Sequence, residues 1–246
     1  MEVTKEQMLE AVARYRERHG FSCLQPKAAL FDMDGVLYDS MPNHALSWHR
    51  SMADYNIKMT EYEAFQYEGM RGVEVIKKMT KAQQNRDITD EEALEMYARK
   101  AYYFSQFPPA SMIPGVRDLQ QTMKAESMTI GIVTGSGQKV LIDRILADFD
   151  GLVDPQCIVT ALDVKRGKPQ PDPYLAGMRK AGTMPWQTVV IENAPLGVKA
   201  AVAAKCFTIA VNTGPLDDRE LADTGADIVV KTMEEAKGVF KLIIEN

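Results

Sequence analysis

Two aspartates one residue apart, Asp32 and Asp34, stand at the end of a short apolar run, Ala28 to Phe31, and Gly35 follows them. Two carboxylates held together where little solvent reaches repel strongly unless a cation lies between them. Aspartates that merely cap backbone amides in a turn are the plainer alternative at this stretch. Three more groups in the chain bear on that choice. Thr134 ends another apolar run and is followed by Gly135, Ser136 and Gly137, a loop whose amides lead into a helix and attract phosphate. The loop lacks the third glycine of a dinucleotide fingerprint and has no Walker lysine. Lys168 lies in the loop Lys165 to Pro169, where Pro169 favours an extended Lys168. Glu192 and Asn193 close a third apolar run and offer hard oxygen ligands of the kind that suit Mg²⁺.

The elements needed to position these groups follow from the periodicity. The run before Asp32 suits a strand buried on both faces, and ligands of open α/β sheets sit beyond the carboxyl ends of such strands. Further strands are expected at Met128 to Thr134, Cys157 to Thr160, Thr188 to Ile191, Phe207 to Val211 and Ala226 to Val230. Helices are expected between them at Val116 to Lys124, Gln138 to Ala147, Pro173 to Gly182 and Pro195 to Ala204, with a last one from Met233. Strands and helices in this alternation imply a parallel sheet covered on both faces. Residues 42–108 interrupt it with helical periodicity alone. Pro42 opens the first helix there, others follow at Tyr62 to Gln66 and Val73 to Lys81, and Asp90 caps a long one ending at Phe107. Residues 4–19 read as an amphipathic helix ahead of the first strand. The expected organisation is an N-terminal helical extension (1–26), an α/β core (27–41 and 109–246) and an inserted all-helical cap (42–108).

At 246 residues the chain can bury a full core. Its net charge of −5 argues against nucleic acid or an anionic membrane as the main partner. No apolar run reaches the roughly 18 residues of a membrane span. The charged N-terminus has no apolar signal core, so a cytoplasmic protein is expected. Cys23, Cys157 and Cys206 show no metal-ligand spacing and read as thiols in a reducing compartment.

Taken in order, DMDGV, VTGSG, GKPQPDPY and IENAPLGV resemble the haloacid dehalogenase superfamily, in the branch similar to β-phosphoglucomutase and related phosphatases with a helical cap. The resemblance implies a Rossmann-like core, with the cap inserted just after the first strand. It implies Asp32 as the nucleophile that forms an aspartyl-phosphate, and Asp34 as the acid that protonates the leaving oxygen and later deprotonates the incoming water. The first must stay ionised while the second gains and loses a proton. Thr134 and Lys168 are implied to hold the transferring phosphoryl group, with Gly135 and Ser136 beside it. Mg²⁺ is implied as the cofactor, held by Asp32, the Asp34 carbonyl and Asn193, with Glu192 as a ligand or just behind one. Members that cleave carbon–halogen or phosphonate bonds lack the aspartate found here at 34, so phosphoryl transfer is the expected chemistry.

Two departures from the mutase pattern bear on the substrate. Asn193 stands where the mutases carry aspartate. Glu68 stands at the lysine position of the cap loop, and the phosphate-binding arginine is displaced to Arg71. His44, twelve residues after Asp32, keeps the mutase pattern and is expected near Asp34. Glu68 is expected to swing in and complete the metal shell, leaving little space for a sugar. The expected reaction is therefore hydrolysis of a small phosphorylated substrate such as inorganic pyrophosphate, by a monomer. The alternatives are a β-phosphoglucomutase, a sugar-phosphate phosphatase, or a catalytically silent phosphate-binding module.

Overall fold

The computed structural model describes all residues except Met1, Glu2, Gln138 and Asn246. In chain order it contains α1 (Lys5–His19), β1 (Ala28–Phe31), α2 (Met41–Ala53), α3 (Glu61–Gln66), α4 (Gly72–Gln84), α5 (Asp90–Ser105) and α6 (Val116–Ala125). There follow β2 (Thr129–Val133), α7 (Lys139–Asp148), β3 (Ile158–Val159), α8 (Asp172–Ala181), β4 (Thr188–Glu192), α9 (Pro195–Ala203), β5 (Phe207–Val211), α10 (Asp218–Asp223), β6 (Ile228–Val230) and α11 (Met233–Ile244).

The six strands form one parallel sheet in the order β3-β2-β1-β4-β5-β6. The chain winds from β1 towards β3 on one side and returns to β4 on the other. The carboxyl end of β1 is therefore a switch point, where a crevice opens for ligands. Every residue of β1, β4 and β5 is buried, as expected of strands covered by helices on both faces. One side of the sheet buries Phe31, Ile132, Ile191, Phe207 and Ile209 under α1, α6 and α11; the other buries Leu30, Val133, Val190 and Tyr174. Each such side chain contributes about 1.5–3 kcal/mol through loss of apolar surface to water. This rigid sheet fixes the positions of the groups at its strand ends.

Helices α2–α5 have a core of their own, with Trp48, Met52, Ile57, Ile76, Met79 and Met96 buried together. They form the helical cap. Its contacts with the sheet domain include two sets of hydrogen bonds and the packing of Phe65 against Val198 and Leu216. From α3, Tyr62 and Gln66 both donate to Glu220, Gln66 at 2.8 Å. At the start of α4, Arg71 Nη2 donates to the Val164 carbonyl at 3.0 Å.

Several element ends differ from expectation. The long cap helix is capped by Thr89, whose hydroxyl accepts the Glu92 amide, rather than by Asp90, and it stops at Ser105. Thr with an acidic residue three places on is the stronger start signal. The helix α10 had no expected counterpart; Asp217 caps it by accepting the Arg219 amide. The expected start of the helix after β2, Gln138, lies outside the described residues. The N-terminal helix is tied to the sheet domain by Tyr15, which donates to the Lys205 carbonyl at 2.9 Å, and by Arg18, which pairs with buried Asp227. No helix among the described residues is long and apolar enough to cross a membrane.

Candidate active site

Asp32 is the first residue beyond β1, and its amide extends the ladder by donating to the Ile191 carbonyl at 3.0 Å. The chain then turns sharply at Gly35, whose φ is +76° and where a Cβ would lie 2.0 Å from Asn193 Nδ2. Glycine is thus required here twice, for the left-handed backbone and for the close approach of Asn193. Thr213 steadies the turn from the far side, donating to the Gly35 carbonyl at 2.7 Å.

The Asp32 side chain is buried and accepts from Lys168 Nζ at 2.6 Å; the same ammonium donates to Glu192 Oε1 at 2.6 Å. The peptide bond after Lys168 is cis. Glu192 is wholly buried and fully engaged. Tyr174 donates to Oε1 at 2.9 Å, and the amides of Asn193 and Ala194 donate to Oε2 at 2.7 and 3.0 Å. Glu192 therefore holds Lys168 and the start of α9, rather than presenting an oxygen to the crevice. Burial pushes the Asp32 carboxyl up to about 7, with Lys168 opposing and Glu192 adding to the rise. Burial also works against the Lys168 ammonium, but the two carboxylates prevail and hold it above its usual range. A Cβ at Gly197 would lie 1.7 Å from Glu192 Oε1. Gly197→Ala is accordingly expected to destabilise the fold by about 1–3 kcal/mol and to lower activity by displacing Lys168. Thermal melting and kcat measure the two effects.

Asp34 lies two residues on, and its Oδ1 accepts from the Ser40 hydroxyl at 2.5 Å and from His44 Nε2 at 3.2 Å. Its Oδ2 takes no hydrogen bond from the described residues. His44 stacks on Phe104 with centroids 4.2 Å apart, and Lys100 Nζ lies 2.6 Å from its Nδ1. An ammonium can only donate, so Nδ1 accepts and the His44 proton sits on Nε2, directed at Asp34. Lys100 is buried among Phe104, Trp48 and Tyr97. Burial pushes its ammonium down to about 8, against the pull of Glu68 and Asp34. Burial alone would raise Asp34, but His44 and Ser40 outweigh it and hold that carboxyl down at about 2.

Thr134 follows β2, and its hydroxyl accepts the Ser136 amide at 3.0 Å, which shapes the loop through Gly135. Thr134, Gly135, Lys168 and Arg71 surround one small cavity. Ser136, Asp34, His44 and Glu68 line a second, larger one between cap and sheet domain, with a volume of about 450 Å³. Glu68 is half-buried there, its carboxyl pushed up to about 8 by burial and by the charges of Asp34 and Asp32. The cavity leaves room for a sugar-sized group beside Glu68, contrary to the tight pocket expected from the sequence. Lys77 pairs with Asp90.

The structure thus brings Asp32, Asp34, Thr134, Gly135, Ser136, Lys168, Glu192 and Asn193 to one sheet edge, and sets His44, Glu68 and Arg71 around it. Sequence reasoning missed Lys100, Ser40 and Tyr174. For Lys100 a signal existed. It shares the buried face of α5 with Ala93, Met96 and Phe104, where a solvated lysine does not belong.

Among the described residues no three His, Cys, Asp or Glu side chains gather as a metal site. The available donors are instead a carboxylate, a carbonyl and an amide. Asn193 Oδ1 is buried and accepts no hydrogen bond. A buried acceptor without a partner is costly, and a hard cation would satisfy it. The donor set therefore fits Mg²⁺.

Comparison with known proteins matches the haloacid dehalogenase-like hydrolase family over residues 29–211. Hexitol phosphatase A of Escherichia coli is 32% identical over 209 residues, covering 85% of this chain and 92% of that protein. Beta-phosphoglucomutase of Bacillus subtilis is 28% identical over 214 residues, covering 83% and 89%. Among solved structures, one provisionally described as a beta-phosphoglucomutase from Bacteroides vulgatus is 41% identical, with a TM-score of 0.93 over 98% of both chains.

Proposed function

This chain belongs to the haloacid dehalogenase-like hydrolase family and is an enzyme of its phosphatase and phosphotransferase kind, and we propose that it is a Mg²⁺-dependent phosphohydrolase acting on a phosphorylated sugar or polyol. The observation that carries this reading is the pairing of two differently treated carboxyls. Asp32 is buried against Lys168, while Asp34 lines a 450 Å³ cavity and its Oδ2 accepts no hydrogen bond from the described residues.

Asp32 attacks phosphorus through a carboxylate oxygen, and the bond from phosphorus to the ester oxygen breaks. Asp34 gives its proton to that oxygen as it leaves. A water molecule then attacks the aspartyl-phosphate, Asp34 takes its proton, and phosphate departs. Ser40 and His44 both donate to Oδ1 of Asp34, which reserves Oδ2 for the travelling proton. Lys168 and the Thr134 hydroxyl hold the phosphoryl oxygens and spread their charge. Asp32, the Asp34 carbonyl and Asn193 would hold Mg²⁺, which neutralises charge on the transferring group when bound. In the protein alone Asp32 is raised and Asp34 lowered, the reverse of what these roles need. A cation beside Asp32 and a phosphoryl dianion beside Asp34 both act to restore the required order.

Lys100 acts through His44. Lys100→Met is expected to lower kcat about 10- to 100-fold on alkyl phosphates, a part of the roughly 10²–10⁴ that a general acid supplies. Aryl phosphates, whose leaving group needs little protonation, should lose much less. A uniform loss on both ester types would instead indicate a role in cap packing.

Pyrophosphate hydrolysis is a second reading, favoured by the inward position of Glu68, which would then join the metal shell. The test is Mg²⁺-dependent phosphate release from hexitol and hexose phosphates, pyrophosphate and β-glucose 1-phosphate, with a chelated sample as the blank. Preference for hexitol or hexose phosphates supports the proposal, and preference for pyrophosphate replaces it with the second reading. Conversion of β-glucose 1-phosphate to glucose 6-phosphate with little phosphate released would make the enzyme a mutase.

A further inference from the structure

Gly72 opens α4, and the ring of Tyr97 from α5 fills the space that a side chain at 72 would occupy. A Cβ there would lie 2.2 Å from Cε2 and 2.3 Å from Cδ2 of the ring. Trp48 packs against the ring with centroids 6.0 Å apart, and Lys100 Nζ lies 5.9 Å from its centre. Held in this way, Tyr97 forms part of the wall of the large cavity, next to Glu68 and Lys100. Its hydroxyl makes no hydrogen bond to any described residue. The side chain is only partly buried in that wall. An occupant that displaces water from the cavity must supply this phenol with a hydrogen-bonding partner in its place.

The surrounding charges indicate what that occupant is. Lys100 is committed to His44, Arg144 to Asp148 and the Ala110 carbonyl, and Arg71 donates to the Val164 carbonyl. Asp34 disfavours a second anionic group near the ring. Trp48 and Phe104 add apolar carbon to the wall, which suits carbon-bound hydrogens. A neutral alcohol bearing several hydroxyls meets all of these conditions.

We infer that Tyr97, seated on Gly72, is the specificity-determining residue of the leaving-group side, and that its hydroxyl hydrogen-bonds a hydroxyl of a polyhydroxy alcohol. This rests on the phosphohydrolase reading above. The test compares kcat/KM of the Mg²⁺-loaded enzyme on glucitol 6-phosphate and on hexyl phosphate, which has the same carbon chain without the extra hydroxyls. Tyr97→Phe is expected to cut the polyol-to-alkyl preference about three- to tenfold, chiefly through KM. Gly72→Ala, which displaces the ring, is expected to do the same, and the double variant to lose no more than either single one. A preference ratio unchanged in Tyr97→Phe overturns the assignment, whether both esters lose equally or neither does. Wild-type enzyme that releases phosphate from neither ester overturns the functional reading itself, and Tyr97 falls with it.

Discussion

Asp32→Asn is expected to reduce phosphate release by at least about 10⁴-fold, as removal of a covalent nucleophile does in other hydrolases. Asparagine has the same shape but cannot form the acyl phosphate, so no phosphorylated protein should accumulate on rapid quenching. The variant should nevertheless fold well, because Lys168 keeps its second partner, Glu192. Its stability relative to wild type should depend on pH in a defined direction. The Asp32 carboxyl is raised from 3.8 to about 7, so the folded state binds this proton more tightly than the unfolded state. Burying the ionised form is therefore a cost, absent below pH 4 and fully present above pH 7. In metal-free protein the variant should gain on wild type as pH rises from 5 to 8. Denaturant melts at both pH values measure this, and a gain of the opposite sign would mean that Lys168 compensates Asp32 fully.

Lys168→Met should damage both activity and fold. It leaves two buried carboxylates, Asp32 and Glu192, facing each other without their shared cation. Breaking a buried charge pair from one side costs about 3–5 kcal/mol, because the stranded charge has no water to turn to. Activity should fall about 10²–10³-fold through loss of the donor to the phosphoryl oxygens. Adding Asp32→Asn should recover part of the stability and none of the activity, since it removes one stranded charge along with the nucleophile. Chemical denaturation and kcat distinguish the two consequences. Full stability in Lys168→Met would mean that the carboxylates take up protons at little cost.

The sheet was legible because its strands are short apolar runs that each end in a polar group. The alternation around Phe31, Val133 and Ile191 left few other ways to arrange them. The groups at those ends could be named for the same reason, since strand order brings Asp32, Thr134 and Asn193 to one edge. Orientation was harder to read. Glu192 has the chemistry of a metal ligand, and only the amides of Asn193 and Ala194 and the Tyr174 hydroxyl show its oxygens already engaged. Lys100 shares a face of its helix with Ala93 and Met96, which hints at burial, but its partner His44 comes from α2, and no local pattern encodes that pairing. The size of the cavity was misjudged because the side chains of Trp48, Tyr97 and Phe104 in its wall could not be placed from the sequence. Helix α10 spans six residues, too few for periodicity to appear.

The cap is fastened at Glu220 and at the Val164 carbonyl, and its His44 also meets Asp34, a group assigned to the chemistry. If the cap parts from the sheet domain for substrate to enter and product to leave, every turnover loosens the same bonds. The enzyme then has one speed limit shared by all its esters. Below it, turnover follows the reactivity of the ester; at it, a more reactive ester gains nothing, and solvent viscosity becomes the variable that sets the rate.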